Sequence, residues 1–353
     1  MISVSSVTPD TFKSEIVSKY TDVIAKKVEG QVLSFSDEWF ADASNLIEAK
    51  EPIRDATRFT DKGAWYDGWE TRRHNTTEAD WVIFKFGVAS AKLIAAEIDT
   101  AYFNGNHAPH ISVEAAYLPN SPVTDEEIVN DEVSWEPVLP KLECGPSAKF
   151  FFVRNQGTTA KPYTHARLRM YPDGGIARFR LYGTVIPVLP TDPQALIDTA
   201  SVKNGGVAVD WSDQHFGTAG NLLLPGRGHD MSDGWETKRS RTPGHVDWVI
   251  IKLGYPTKID EVVVDTAHYK GNFPQKIVIK GLLSDEEKPS FEDDRWNTIV
   301  PESKTGPHQL HFYKKSDGKL INTNDIVYNF VSLTIIPDGG VKRLRVIGRK
   351  ADD

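Results

Sequence analysis

A chain of 353 residues, 39% hydrophobic and 25% charged, is long enough for two ordinary globular domains and too apolar for intrinsic disorder. Its formal net charge of -8 argues against a surface built for nucleic acid or anionic membrane, while leaving room for a local basic pocket. The single cysteine, Cys144, excludes an intramolecular disulfide and a four-thiolate metal site. No apolar run reaches membrane-spanning length, and Asp10, Lys13 and Glu15 interrupt any signal-peptide core, so the expected location is cytoplasmic.

In chain order, a short helix is expected within Asp10–Lys27, and Ser36-Asp37 reads as a turn cap. The polar block Asp67-Gly68-Trp69-Glu70-Thr71-Arg72-Arg73 precedes a strand at Trp81–Phe86 that Gly87 closes. A further strand runs into the loop Asp99-Thr100-Ala101-Tyr102-Phe103-Asn104-Gly105-Asn106-His107. The acidic run Asp125-Glu126-Glu127 reads as a solvated loop, and His165 as a strand-edge surface histidine. Arg167–Tyr171 alternates charged and apolar residues, Pro172-Asp173-Gly174-Gly175 is a turn, and Ile176–Leu181 alternates again, so a β-hairpin is expected there.

The same elements then recur. Asp67–Arg73 returns 166 residues later as Asp233-Gly234-Trp235-Glu236-Thr237-Lys238-Arg239, Asp80-Trp81-Val82-Ile83 as Asp247-Trp248-Val249-Ile250, Asp99-Thr100-Ala101 as Asp265-Thr266-Ala267, and Pro172–Gly175 as Pro337-Asp338-Gly339-Gly340. Upstream, Ser36-Asp37 matches Ser212-Asp213, and the first copy carries about ten extra residues near Glu48–Asp61. The proline-rich stretch Ile186–Pro193 joins the copies. This predicts two domains, 1–187 and 188–353, each an all-β antiparallel sandwich of jelly-roll type.

Standard nucleotide, serine-hydrolase and zinc-protease motifs are absent. His107 and His110 face Phe273 and Lys276 in the second copy, which disfavours a zinc site present in both. The charged blocks are the candidates. Asp67 and Glu70, with twins Asp233 and Glu236, place carboxylates beside Arg72, Arg73 and Arg239; arginine grips a carboxylate through two parallel hydrogen bonds, and a desolvated glutamate serves as a general acid. Trp69, Trp81 and Gly68, with their twins, are read as packing residues. In the second segment Asn106 and Asn272 follow a glycine in a turn, and His107 or His268 would shuttle protons if these loops border a pocket.

Together these blocks resemble the allantoicase family, allantoate amidinohydrolases of purine breakdown. The resemblance is carried by Ser36-Asp37-Glu38-Trp39-Phe40, Asn45-Leu46-Ile47, Asp67–Arg73, Asp80-Trp81, Ile98-Asp99-Thr100, Phe103-Asn104-Gly105-Asn106 and Pro172–Gly175 with their second-copy twins, from about Asp22 to Gly348. It implies two like jelly-roll (galactose-binding-like) modules and a hydrolase acting on a linear amidine carbon–nitrogen bond, releasing urea and ureidoglycolate from allantoate. On that reading Arg72, Arg73 or Arg239 holds the substrate carboxylate, and Glu70 or Glu236 delivers a proton. Asp67, Asp233, Asp99 or a histidine (His107 or His268) acts as base. Asn104, Asn106 and Asn272 match the ureido arms, and Asp265 joins Asp99 among the substrate contacts. The sequence requires no cofactor, and no spacing demands a metal. The expected partners are the small substrate and further copies of the chain in a homo-oligomer, with neither nucleic acid nor membrane. The rival is a tandem carbohydrate-binding jelly-roll protein without catalytic activity, since folds do not dictate function.

Overall fold

Alternation of buried and half-buried residues is what makes His165–Tyr171 a strand: Ala166, Leu168 and Met170 are buried while Arg167 and Arg169 lie half-exposed between them. Arg167 sits opposite Glu114 in register and binds it at 2.7 Å, a cross-strand pair on the polar face. The computed structural model describes residues 2–118 and 133–351, so Asp125-Glu126-Glu127 lies outside the described residues. The chain divides into two compact units, Met1–Ile186 and Pro187–Asp353, each an all-β sandwich of similar design. None of the described helices is long and apolar enough to cross a membrane.

The first module is built from two five-stranded antiparallel sheets. One runs Val4–Ser6, Lys149–Arg154, Ala91–Asp99, Arg178–Val185, Thr21–Asp22. The other runs Glu136–Glu143, His110–Ala116, His165–Tyr171, Asp80–Lys85, Gln31–Phe35. Val82, Phe84, Leu168 and Met170 from one sheet meet Leu93, Ile98, Phe179 and Leu181 from the other, with Trp69 at the end of the same core. The expected short helix is Pro9–Phe12, capped by the Thr8 hydroxyl and continued as a wider turn over Lys13–Val17. Its Phe12 packs on Phe151 and Tyr182.

Two expectations need correction. The strands flanking Pro172–Gly175 do not pair as a hairpin; His165–Tyr171 and Arg178–Val185 lie in different sheets. The turn is held by other partners. Asp173 accepts the Asn75 amide, Gly174 and Thr71 exchange hydrogen bonds, and Gly175–Ile176 pairs with Trp69–Glu70, so the chain is carried from one layer to the other. His165 is no surface residue either: it lies between Lys85 and Ala116 in the middle of its sheet, and burial, with the Lys85 charge, pushes its pKa down to about 4.

In the second module the counterparts of Asp80–Lys85 and Ala91–Asp99 fuse into one strand, Asp247–Asp265. Its first half pairs with Val207–Trp211 and Val327–Ile336, and its second half with Leu310–Lys314 and Arg343–Lys350. Here too the two strands around Pro337–Gly340 pair with this long strand and not with each other.

Candidate active site

Three loops meet at one end of each module, and glycines let them touch. In the first module the Phe103 ring lies against Gly68 and Gly175: a Cβ on Gly175 would stand 2.2 Å from that ring. Gly174, at φ +139°, sits against the His107 carbonyl, where a Cβ would approach to 2.7 Å. Trp69 is fully buried and donates its indole N–H to the Asp37 carbonyl at 2.7 Å; Trp235 does the same to Asp213 at 2.9 Å. The tryptophans of the charged blocks are therefore structural anchors, and they fix the glutamates beside them.

Glu70 is buried and accepts a hydrogen bond from Asn106 Nδ2 at 2.6 Å. Burial raises its carboxyl pKa, opposed by the Asn106 bond and the nearby Arg73 charge. Arg73 is itself held, donating to Asp173 Oδ1 at 2.9 Å and to the Gly105 carbonyl at 2.7 Å. The second module repeats the pair, with Asn272 Nδ2 on Glu236 Oε1 at 2.5 Å, but Glu236 is only half-buried. Two residues assigned to different loops by sequence are thus joined in both copies.

The other expected carboxylates go elsewhere. Asp67 forms an ion pair with the buried Arg178 at 2.8 Å and accepts the Ile53 amide. Asp233 pairs with Arg343 at 2.7 Å and contacts the buried Lys342, whose twin position holds Ala177. Asp99 is buried beside Lys149 at 3.8 Å, and burial raises its pKa. Asp265 receives both arms of Arg227, at 2.8 and 2.9 Å. Arg72 pairs with Asp37 at 3.1 Å and lies over the Trp39 ring. Arg239 is exposed, and among the described residues it has no ion-pair partner.

Neither histidine reaches a candidate glutamate by hydrogen bond. His107 Nδ1 lies 3.1 Å from the carbonyl of the exposed Asn104, and His268 Nε2 lies 3.3 Å from the Gly228 carbonyl. The His268 amide donates to His308 Nδ1 at 2.7 Å. Among the described residues no group of three His, Cys, Asp or Glu side chains converges as metal ligands.

Comparison with known proteins bears on the whole of this arrangement. The model of the allantoicase repeat matches residues 21–186 and again 197–351. The allantoicase of Saccharomyces cerevisiae is 55% identical over 341 residues, covering 96% of both chains, and that of Neurospora crassa 49% identical over 345 residues, covering 97% of this chain and 93% of that one. This chain belongs to the allantoicase family. A crystal structure of the Saccharomyces cerevisiae allantoicase superposes with a TM-score of 0.80 at 51% identity, over 98% of this chain and 100% of that one. The family's duplicated repeat therefore coincides with the two sandwiches and their paired Glu–Asn loops.

Sequence reasoning missed the arginines that hold the aspartates. Arg178 and Arg343 are twins at the spacing of the Pro-Asp-Gly-Gly block, and a repeated arginine inside an apolar strand was the available signal. Lys149, Glu51 and Arg227 left no such trace, because the residue type changes between the copies: Glu51 and Arg227 occupy equivalent positions, and Leu310 pairs where Lys149 does.

Proposed function

We propose that this chain hydrolyses allantoate to ureidoglycolate and urea, as a linear-amidine hydrolase of two jelly-roll, galactose-binding-like modules, in allantoin degradation. The observation that carries this is the buried Glu70 carboxyl held by Asn106 in a chain of the allantoicase family. A carboxyl whose pKa burial has raised holds its proton more firmly than a free glutamate, the direction a general acid needs. Glu70 protonates the departing ureido nitrogen as its bond to the central carbon breaks. The lone pair of the remaining ureido nitrogen forms a carbon–nitrogen double bond, leaving an acyliminium-like species and free urea. Water then adds to that carbon and returns a proton to the Glu70 carboxylate, so the residue ends as it began. Asn106 aligns the carboxyl, and its free acceptor and donor suit a ureido arm. Glu70 is the proton carrier of this reading in preference to Glu236, because it is the more deeply buried. A reducing cytoplasm, self-association into a homo-oligomer, and neither nucleic acid nor membrane as partner complete the reading; the one buried cysteine and the acidic net charge support it.

The test is urea release from allantoate by the purified full chain, with and without a strong chelator. Stoichiometric urea and ureidoglycolate are expected. No urea in either state, or after divalent metals are restored, would turn attention to sugar binding.

A further inference from the structure

We propose that Lys149 and Asp99 form a binding site in the first module for a small acid that carries an N–H donor beside its carboxylate, with Glu51 standing in for the ligand's carboxylate in the free protein. Three observations lead there. Asp99 is 1% exposed, and its Oδ2 has no hydrogen-bond donor among the described residues, while Oδ1 accepts the Ala101 amide at 2.8 Å. An unsatisfied buried carboxylate oxygen is costly, and native structures rarely leave one without a reason. Lys149 Nζ stands 3.8 Å from that oxygen and 3.4 Å from Glu97 Oε1, and its closest contacts are to Glu51, whose two carboxylate oxygens it reaches at 2.9 and 2.7 Å. Glu51 stands where Arg227 stands in the second module, six residues after Asn45 as Arg227 is after Asn221, and its side chain is 75% exposed.

An exposed ion pair contributes little and opens readily. Exchanging the Glu51 carboxylate for a ligand's carboxylate leaves Lys149 with the same number of carboxylate partners. An N–H on the same ligand then supplies the donor that Asp99 Oδ2 lacks. A cation and a bare acceptor 3.8 Å apart suit a molecule in which carboxylate and N–H flank one carbon.

The second module shows the same aspartate without the site. Asp265 is the twin of Asp99, yet Arg227 saturates it through two parallel bonds. The residue paired in register with Asp99 is Lys149, and the one paired with Asp265 is Leu310. A guanidinium presents planar paired N–H groups much as a ureido group does. Arg227 thus occupies from within what the first module leaves for a ligand. Allantoate and ureidoglycolate both belong to the ligand class, so the inference deepens the proposed function but its test needs no turnover.

The experiment is calorimetric titration of the full chain with N-carbamoylglycine, a stable acid bearing a ureido N–H beside its carboxylate. One site per chain is expected. Glu51→Gln removes the internal competitor and tightens binding by up to about 5-fold. Lys149→Met weakens it about 10-fold or more. Arg227→Ala, in the other module, leaves it unchanged. Binding indifferent to both Glu51→Gln and Lys149→Met, an equal response to Arg227→Ala, or no heat with wild type and Glu51→Gln alike would overturn the proposal. Because Glu51→Gln alters an exposed side chain and is expected to gain affinity, misfolding cannot imitate the result. Competitive inhibition of urea release by the same acid would place the substrate there, and non-competitive inhibition an effector or product; either supports the site. If wild type releases no urea while the titration behaves as expected, the reaction assignment falls and the site stands.

Discussion

The two modules share a frame and differ in what surrounds it. Trp69 and Trp235 are both fully buried and both donate to a carbonyl of the Ser-Asp turn. Glu70 and Glu236 both take an asparagine amide from the neighbouring loop. Around them one ion pair is kept, Asp67 with Arg178 and Asp233 with Arg343, to which the second module adds Lys342, and another is rewired: Asp99 faces Lys149, whereas Asp265 is gripped by Arg227. Phe103 in one module is Tyr269 in the other, whose hydroxyl donates to the Met231 carbonyl at 3.1 Å. A duplicated domain keeps the contacts that close-packing makes indispensable, whereas rim charges are free to find new partners, because a partly exposed ion pair contributes little to stability.

If the frame is equivalent in the two copies, Trp69→Ala and Trp235→Ala should cost about the same, ~3–5 kcal/mol each in denaturant unfolding, since each empties a sealed site. A cost in one module only would break the equivalence. The glutamates should separate instead. Glu70→Gln is expected to lower the rate constant of urea release by about 100-fold or more, as loss of a general acid does. Glu236→Gln should change it by less than about 3-fold on the same scale. Reversed effects would move the working centre to the second module.

A smaller effect is expected from Asp22, buried beside Arg180 and bonded to the Leu181 amide. Burial raises its pKa to about 6 against 3.8 for the free side chain. Folding therefore favours the protonated form. The stabilising contribution is full below about pH 3.8 and is lost as pH rises through about 6. From pH 7 to pH 5 it should add on the order of 1 kcal/mol, and unfolding curves of Asp22→Asn should lack that share of the slope. Smallest of all, Arg72→Ala should cost less than about 1 kcal/mol, because its pair with Asp37 and its stacking on Trp39 lie in solvent.

Much of this was legible in advance where a residue type has one physical use. The glycines of Pro172–Gly175 and Pro337–Gly340 marked a turn, and the strands about them alternated as strands do. What the flanking strands pair with was not legible, since a turn signal says nothing about whether its arms share a sheet. His165 misled for a related reason: it shares the polar face of its strand with Arg167 and Arg169, yet its place between Lys85 and Ala116 in the middle of the sheet buries it.

The sequence by itself determined the duplication, the β class, the family and the loops that carry the charged blocks. All of these follow from periodicity and from repeated residues at matched spacing, which are properties of the chain. Only the tertiary structure decided which charges meet. Glu70 and Asn106 are 36 residues apart, and Asp67 and Arg178 are 111 apart. Whether such groups become a buried pair, a tied ion pair or an unsatisfied oxygen such as that of Asp99 depends on distance and desolvation. Both are set when the two sheets pack and the loops at their end are pressed together.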